Sequence, residues 1–183
     1  MSFKKILRKK YFSLRKKKYY EVDKEYFNPL KKLIQSNFKK KGLRLALYCP
    51  SNFELNVLKF LEIDYIKDKK ILLPVIEKKN NMNFYTWSKN QVLFVNKFGI
   101  LEPDKTTVKI PNVILVPILA FDKSKYRLGY GKGFYDRYLN KFLNKFKNII
   151  TVGVAFSFQK YHKLPRDITD VKLDYVLTEK GIY

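Results

Sequence analysis

Hydrophobic and polar positions follow clear periods along this chain, most distinctly between residues 112 and 146. Residues 113–121 are apolar or small, broken only by Pro117, which is typical of a strand buried on both faces. An aromatic side chain then recurs at every fourth position, the spacing of one helix face, at Phe134, Tyr138, Phe142 and Phe146. The pattern therefore predicts a buried strand followed by an amphipathic helix.

The same periods predict the other elements of the chain. Helices are expected over residues 2–20, 22–40, 53–66 and 134–146, with Gly42 ending the second and Ser51 or Asn52 capping the third. Strands are expected over residues 43–48, 70–76, 113–121, 149–156 and 175–178, with shorter strand-like segments at 84–87 and 91–95 and a turn at 99–103. Strands that alternate with helices indicate an α/β domain with a largely parallel, mixed sheet. We therefore expect residues 1–183 to form a single three-layer, Rossmann-like domain.

The segment RLGYGKG, residues 127–133, joins the predicted strand to the predicted helix. Its glycines, at alternate positions, let the backbone adopt positive φ and approach a ligand closely. The helix that follows presents unpaired N–H groups and the positive end of its dipole, and Arg127 and Lys132 add two full charges. Together these features are typical of a phosphate site. The spacing matches neither the P-loop nor the dinucleotide fingerprint, so a purely structural turn remains the alternative.

Composition excludes several classes of protein. A hydrophobic content of 46% excludes a disordered chain, and no apolar run approaches the roughly 20 residues that span a bilayer. The N-terminus lacks the apolar core of a signal peptide. One cysteine, Cys49, and one histidine, His162, exclude a disulfide framework and a His/Cys metal cluster. We expect a cytoplasmic protein that does not associate with membranes.

The formal net charge of +23 raises the question of a polyanionic partner. Of the 39 basic residues, 33 are lysine and six are arginine, and the lysines are scattered from end to end. Nucleic-acid readers usually rely on arginine for bidentate and stacking contacts. The composition therefore favours solvated lysine over nucleic-acid binding. An RNA-associated α/β protein that uses the glycine loop for backbone phosphates remains the alternative function, and a nucleotide enzyme with another substrate is a further one.

Residues 127–136, RLGYGKGFYD, resemble the signature of the 5-formyltetrahydrofolate cyclo-ligase family, also called methenyltetrahydrofolate synthetases. The resemblance extends over most of the chain and includes residues 99–103 and 155–159. It implies a monomeric α/β enzyme that uses Mg·ATP to convert 5-formyltetrahydrofolate to 5,10-methenyltetrahydrofolate. In the family's reaction the formyl oxygen is phosphorylated, N10 of the folate attacks the activated carbon, and phosphate leaves, with ADP as the other product.

The resemblance also implies roles for individual residues. ATP would contact Lys4, Arg8, Arg127, Leu128, Gly129, Tyr130, Gly131, Lys132, Gly133, Phe134 and Tyr135, with the N-terminal helix packed against the nucleotide site. The folate would contact Cys49, Glu54, Tyr130, Gly131, Lys132, Gly133 and Phe134. Lys132 and Arg127 would carry the catalysis, Lys132 by drawing charge off the transferring phosphoryl group. Asp136 and Asp174 would bind magnesium.

Two positions depart from the family's pattern. The loop before Arg127 usually contains a glycine, whereas residues 122–126 read DKSKY here. Isoleucine at position 118 follows Pro117, where the family often has glycine. The glycine and charged positions that carry the predicted chemistry are intact.

Overall fold

The computed structural model describes residues 2–38 and 42–183. Its helices are α1 (Phe3–Lys18), α2 (Asn28–Asn37), α3 (Asp64–Lys67) and α4 (Phe134–Leu143), with 3₁₀ segments at Lys24–Phe27, Val57–Glu62, Lys78–Asn80 and Ser157–Gln159. Its strands are β1 (Arg44–Ala46), β2 (Lys70–Ile76), β3 (Met82–Trp87), β4 (Leu93–Val95), β5 (Leu101–Pro103), β6 (Val113–Pro117), β7 (Ala120–Phe121), β8 (Arg127–Leu128), β9 (Ile150–Val154), β10 (Tyr175–Thr178) and β11 (Gly181–Ile182). None of the described helices combines the length and apolar composition needed to cross a bilayer.

A mixed sheet in the order β11-β10-β9-β6-β1-β2-β3 forms the centre of the molecule. The five inner strands are parallel, and β3 and β11 are antiparallel at the edges. Strand β1 lies between β2 and β6, so the strand order reverses between β1 and β6. In sheets of this kind ligands bind beyond the carboxyl ends of the strands at such a reversal. The predicted α/β fold with a largely parallel, mixed sheet is confirmed.

Strand β6 shows why the run from residue 113 is continuously apolar. Val113 and Leu115 pack on one face of the sheet, in a core shared with α2 and residues 57–66. Ile114 and Val116 pack on the other face, in a core shared with α4. Because helices or turns cover both faces, polar alternation is absent, and each fully buried side chain contributes about 1.5–3 kcal/mol. The three layers expected from the sequence follow from this packing.

The N-terminal helix packs outside the two main cores. Leu7 and Tyr11 of α1 contact a third cluster that includes Leu119 and Leu128. Leu128 belongs to the β7–β8 hairpin, which leads directly into the glycine loop. The helix is therefore joined to the loop through buried apolar contacts.

The predicted continuous helix over residues 53–66 is wrong, because residues 53–56 are not helical, Val57–Glu62 is a 3₁₀ segment and α3 begins only at Asp64. Asn52 and Phe53 adopt left-handed φ values of 49° and 61°, which interrupt a right-handed helix. The backbone turns back here, because Ser51 N–H donates to the Glu54 carboxylate at 2.9 Å and Glu54 N–H donates to Ser51 O at 2.9 Å. The cap is formed later, where Asn56 Oδ1 accepts from Leu58 N–H at 3.2 Å at the start of a 3₁₀ segment. Neither Ser51 nor Asn52 caps a helix.

Other boundaries differ because of proline and local pairing. The predicted helix over 22–40 begins as a 3₁₀ turn and becomes α2 at Asn28, since Pro29 fits the first helical turn. Its predicted last residues, 39 and 40, lie outside the described residues. The apolar run 113–121 divides at Pro117, which lacks an N–H for the ladder, and residues 120–121 pair with 127–128 instead. The predicted turn at 99–103 contains β5, and the predicted helix over 134–146 ends at Leu143.

Candidate active site

A cavity of about 930 Å³ opens at the carboxyl ends of β1 and β6, near the upper limit for ligand sites. It is lined by the residue range 127–136 together with Lys4, Arg8, Cys49 and Glu54. All the predicted nucleotide and folate residues thus line one cavity. Helix α1 runs along it, because Lys4 and Arg8 line it and Arg15 contacts Tyr130 from the same helix. Lys4 and Arg15 are 11 residues apart, about 16 Å along the helix axis. We call the part of the cavity lined by Lys4 and Arg8 one end, and the part lined by Cys49 and Glu54, after β1, the other end.

The glycine loop takes its shape from two left-handed residues. Gly131 has φ of 94°, and Gly133 has φ of 66° and precedes the first residue of α4. A Cβ atom on Gly131 would lie 3.1 Å from Cζ of Arg8, so a larger residue would displace the guanidinium group slightly in addition to being strained at this positive φ. Arg8 Nε donates to Gly129 O at 2.9 Å. The loop and α1 are thus joined by a charged side chain at the mouth of the cavity.

Two lysines near the loop, Lys132 and Lys4, differ in what they contact. The Lys132 side chain is exposed, with Nζ 5.9 Å from the centre of the Phe98 ring. Lys4 Nζ lies 2.6 Å from Asp167 Oδ2 and 2.5 Å from Asp170 Oδ2. Burial opposes the charge of Lys4, but the hydrogen bonds to both carboxylates raise the pKa of Lys4 above its ordinary value. Lys4 is therefore a fully charged group held between two acids.

Arg127 is less accessible than its place in the loop suggests. Its side chain is only 4% exposed, and Nη2 lies 2.9 Å from Oδ1 of Asp136. Nη1 of Arg127 donates to Val171 O at 3.4 Å, and the backbone N–H of Val171 donates to Asp136 Oδ1 at 3.2 Å. The ion pair with Asp136 and the backbone carbonyl of Val171 hold the Arg127 side chain against the cavity wall.

The other end of the cavity contains a buried carboxylate. Glu54 is 6% exposed, and its Oε2 accepts from the Ser51 N–H at 2.9 Å and from the Ser51 hydroxyl at 3.3 Å. Burial raises the pKa of Glu54, while the Ser51 N–H and the positive charge of Arg15 oppose that rise. Beside it, burial raises the pKa of the Cys49 thiol to about 11. Cys49 is therefore a neutral wall residue rather than a nucleophile.

Tyr135 brings an unpaired polar group to the same wall. Its hydroxyl oxygen is buried and has no hydrogen-bond partner among the described residues. Burial raises the pKa of Tyr135, so the hydroxyl keeps its proton and can donate. Because a buried hydroxyl without a partner costs about 1–3 kcal/mol, a ligand that accepts from it would gain affinity.

The two predicted magnesium ligands are not brought together. Asp136 lines the cavity, whereas Asp174 does not. Asp174 precedes β10, and its Oδ2 accepts from the Thr151 N–H at 2.8 Å and from the Thr151 hydroxyl at 2.7 Å, near the amino end of β9. The cavity lies at the carboxyl ends of the strands. The expected convergence of Asp136 and Asp174 on one ion is therefore wrong for this structure. Within the described ranges, no three His, Cys, Asp or Glu side chains are grouped closely enough to hold a metal.

Several site residues were not predicted from the sequence. Asp167 and Asp170 lie in a segment whose acidic character was visible, but their pairing with Lys4 spans more than 160 positions. Arg15 continues the buried stripe of Leu7 and Tyr11 at four-residue spacing, where an apolar side chain would be expected. An arginine at such a position is a signal that could have identified it.

Both departures from the family's pattern have local compensation. In the loop before Arg127, Asp122 accepts from the Ser124 N–H at 2.9 Å and from the Tyr126 N–H at 3.2 Å, and Lys125 takes a left-handed φ of 64°. Isoleucine at position 118 fits because Gly153 of β9 has no side chain. A Cβ atom on Gly153 would lie 2.3 Å from Cδ1 of Ile118.

The chain is similar to proteins of known family. The sequence model of the 5-formyltetrahydrofolate cyclo-ligase family matches residues 2–179. A 5-formyltetrahydrofolate cyclo-ligase from Haemophilus influenzae is 31% identical over 140 residues, which cover 73% of this chain and 74% of the relative. The structure of a 5,10-methenyltetrahydrofolate synthetase from Aquifex aeolicus is 34% identical, with a TM-score of 0.76 over 99% of this chain and 92% of its own. A synthetase structure from Mycoplasma pneumoniae is 25% identical, with a TM-score of 0.70 over 96% of this chain and 98% of its own. The resemblance of RLGYGKGFYD is thereby confirmed, and the chain belongs to the 5-formyltetrahydrofolate cyclo-ligase family of enzymes.

Proposed function

We propose that this protein converts 5-formyltetrahydrofolate to 5,10-methenyltetrahydrofolate in a reaction that consumes ATP, requires magnesium, and releases ADP and phosphate. The observation that carries the proposal is a single cavity with chemically different ends. The glycine loop with Arg8 and Lys132 suits phosphates. The buried Glu54 suits a ring that donates paired N–H bonds, because a carboxylate accepts two parallel bonds. A nucleotide and a pterin ring match these two ends.

In this proposal the side chains supply position and charge. Lys132 stabilises the charge that develops as the phosphoryl group moves to the formyl oxygen. An amide-like oxygen is a poor leaving group, and phosphorylation converts it to a good one. N10 then attacks the formyl carbon and releases its proton to solvent, the new C–N bond closes the ring, and the C–O bond to phosphate breaks. Lys4 shares or exchanges its partners Asp167 and Asp170 when it reaches the phosphates.

Asp136 has the chemistry that a magnesium site requires. Both of its protein contacts use Oδ1, which leaves Oδ2 without a hydrogen bond or ion pair from the described residues. Magnesium typically takes one or two protein carboxylates, and phosphates and water complete its shell. Asp136 fits that role, whereas Asp174 does not, because Thr151 binds it away from the cavity. When bound, the ion would neutralise phosphate charge and orient the transferring group.

The proposal is tested by absorbance near the methenyl-folate band. We expect the band to grow only when 5-formyltetrahydrofolate, ATP and magnesium are present together, with one ADP formed per product. Omission of ATP, or chelation of magnesium, should abolish the increase. A band that grows without ATP, or ATP hydrolysis without any methenyl product, would contradict the proposed reaction.

We expect the affinity for 5-formyltetrahydrofolate to fall as the pH is lowered through the raised pKa of Glu54. Protonation removes an acceptor for the ring's N–H groups, and the raised pKa places this loss above the ordinary carboxyl range near 4.3. Glu54→Gln should bind more weakly at high pH and lose most of this dependence.

The measurement is equilibrium binding of 5-formyltetrahydrofolate without ATP over about pH 5 to 8, because the phosphates of ATP titrate in the same range. The exposed Glu62→Gln is a matched control, since it removes a carboxylate outside the cavity. An identical pH profile for Glu54→Gln and the wild type would remove Glu54 from ligand binding.

A further inference from the structure

Arg15 is a charged side chain placed where a hydrophobic one is expected. It lies in the last turn of α1, is 1% exposed, and is among the largest fully buried side chains. A buried guanidinium group is unfavourable unless its N–H groups are paired. Nη1 donates to Ile118 O at 3.0 Å, and Nη2 donates to Asn52 O at 2.7 Å and to the Tyr130 hydroxyl. The Nε atom has no partner among the described residues.

These bonds join three segments that are distant in the chain. Asn52 belongs to the turn after β1, residue 118 follows β6, and Tyr130 belongs to the glycine loop. The guanidinium carbon also lies 5.5 Å from the centre of the Tyr130 ring, which is a cation–π distance. The planar, five-donor geometry of arginine suits this arrangement, and lysine cannot reproduce it. Asn52 and Tyr130 line the cavity together with Glu54, and so does Pro117, which precedes residue 118.

Arg15 also acts on the charge of Glu54. The Ser51 N–H, the Arg15 charge and the Tyr130 hydroxyl lower the pKa of Glu54 against the larger effect of burial. Tyr48 and Tyr135 are the other titratable groups that interact with this carboxylate, and both are neutral phenols with raised pKa values. Among the described residues, Arg15 is the cation whose charge lowers the pKa of Glu54.

We propose that Arg15 is a positioning residue, which fixes Tyr130 and the turn at Asn52 around Glu54 so that this end of the cavity is preformed for a flat ring with paired N–H donors. The inference rests on the proposed function, which places the pterin of 5-formyltetrahydrofolate at this end. Arg15 lies behind the wall and acts through its neighbours. Because preformed sites avoid the cost of ordering on binding, loss of Arg15 should weaken folate binding far more than ATP binding.

The test compares equilibrium binding of 5-formyltetrahydrofolate and of Mg·ATP, each alone, to the wild type and to Arg15→Gln. We expect the folate Kd to rise about tenfold or more, as for the loss of a charged hydrogen bond, with the ATP Kd within about threefold of wild type. The midpoint of the folate pH profile should also move to higher pH, because Glu54 loses its cation. A side chain that only stabilises the fold would not shift this midpoint.

Three further variants separate the contributions. Arg15→Lys keeps the positive charge but lacks the planar guanidinium group with its several donors. Its pH midpoint should therefore match that of the wild type, whereas its folate affinity should lie between those of the wild type and Arg15→Gln. Tyr130→Phe removes the hydroxyl acceptor and should weaken folate binding with Arg15 in place. Lys17→Gln removes an exposed charge from the same helix turn and should match the wild type. If Arg15→Gln does not fold, Arg15→Lys and Tyr130→Phe carry the test.

The outcomes distinguish this inference from the proposed function. Folate and ATP Kd values that rise by the same factor, or a folate Kd within twofold of wild type in the Arg15 and Tyr130 variants, would overturn the positioning role alone. A wild-type protein that does not bind 5-formyltetrahydrofolate would overturn the proposed function, and the positioning role with it.

Discussion

Lys132→Ala is expected to lower kcat by about 10²–10³-fold, the typical loss when one preorganised donor to a developing charge is removed. The free energy of unfolding should stay within about 0.5 kcal/mol of wild type, because the side chain is exposed. Lys132 contacts the Phe98 ring through Nζ at 5.9 Å, which orients the side chain without pairing its charge. In the proposed mechanism, Lys132 therefore contributes to turnover and little to stability.

Steady-state turnover and denaturant unfolding of the same preparation provide the measurement. Lys145→Ala is the matched control, since Lys145 is an exposed lysine just beyond α4 that does not line the cavity. Arg127→Ala provides a contrast rather than a control. Because Arg127 forms a buried ion pair with Asp136, its loss should lower stability as well as turnover. The expected loss in the free energy of unfolding is near the lower end of about 3–5 kcal/mol, since Asp136 is partly exposed. Near-normal turnover of Lys132→Ala would remove the glycine loop from the mechanism.

The elements predicted well from sequence are those that burial alone determines. The pattern over β6 reflects contacts with both main cores, and the pattern over α1 reflects its contacts with the third cluster. The segment 53–66 has a helix-like apolar pattern that a 3₁₀ turn buried against the same core also satisfies. The helix does not start at residue 53 because the backbone turns at Asn52 and Phe53, where the Ser51 N–H donates to the Glu54 carboxylate. Periodicity contains no information about such a turn.

Some residues of the candidate site were predicted from the sequence, and others were not. The glycine loop was predicted from a contiguous motif between a strand and a helix, whereas the roles of Glu54 and Asp136 were predicted only from the resemblance to the family. Lys4 binds Asp170 across 166 positions, and Arg15 binds the residue at 118 across 103 positions, so neither partner could be assigned from local spacing. Asp174 illustrates the opposite error. It stands in a segment that resembles the family, yet Thr151 holds its carboxylate near the amino ends of β9 and β10, away from the cavity.

Because Asp136 lines the cavity and Asp174 does not, Asp136→Asn and Asp174→Asn are expected to differ in their effect on the magnesium dependence of turnover. Asp136→Asn should raise the magnesium concentration for half-maximal turnover by about tenfold or more, because loss of one charged contact of about 1.5–3 kcal/mol exceeds the 1.4 kcal/mol that corresponds to a factor of ten. Asparagine keeps an oxygen acceptor for Arg127 and for the N–H of residue 171, so the fold should survive.

Asp174→Asn should leave the magnesium dependence unchanged and lower stability by about 1–2 kcal/mol, because it weakens charge-assisted bonds from the Thr151 N–H and hydroxyl. Magnesium titrations of turnover at saturating ATP, together with unfolding midpoints, separate the two variants. Thr151→Val is a useful companion, since it removes the hydroxyl partner and should reproduce part of the Asp174→Asn stability loss. An equal loss of magnesium affinity in both aspartate variants would mean that Asp174 leaves Thr151 and reaches the cavity when the nucleotide binds.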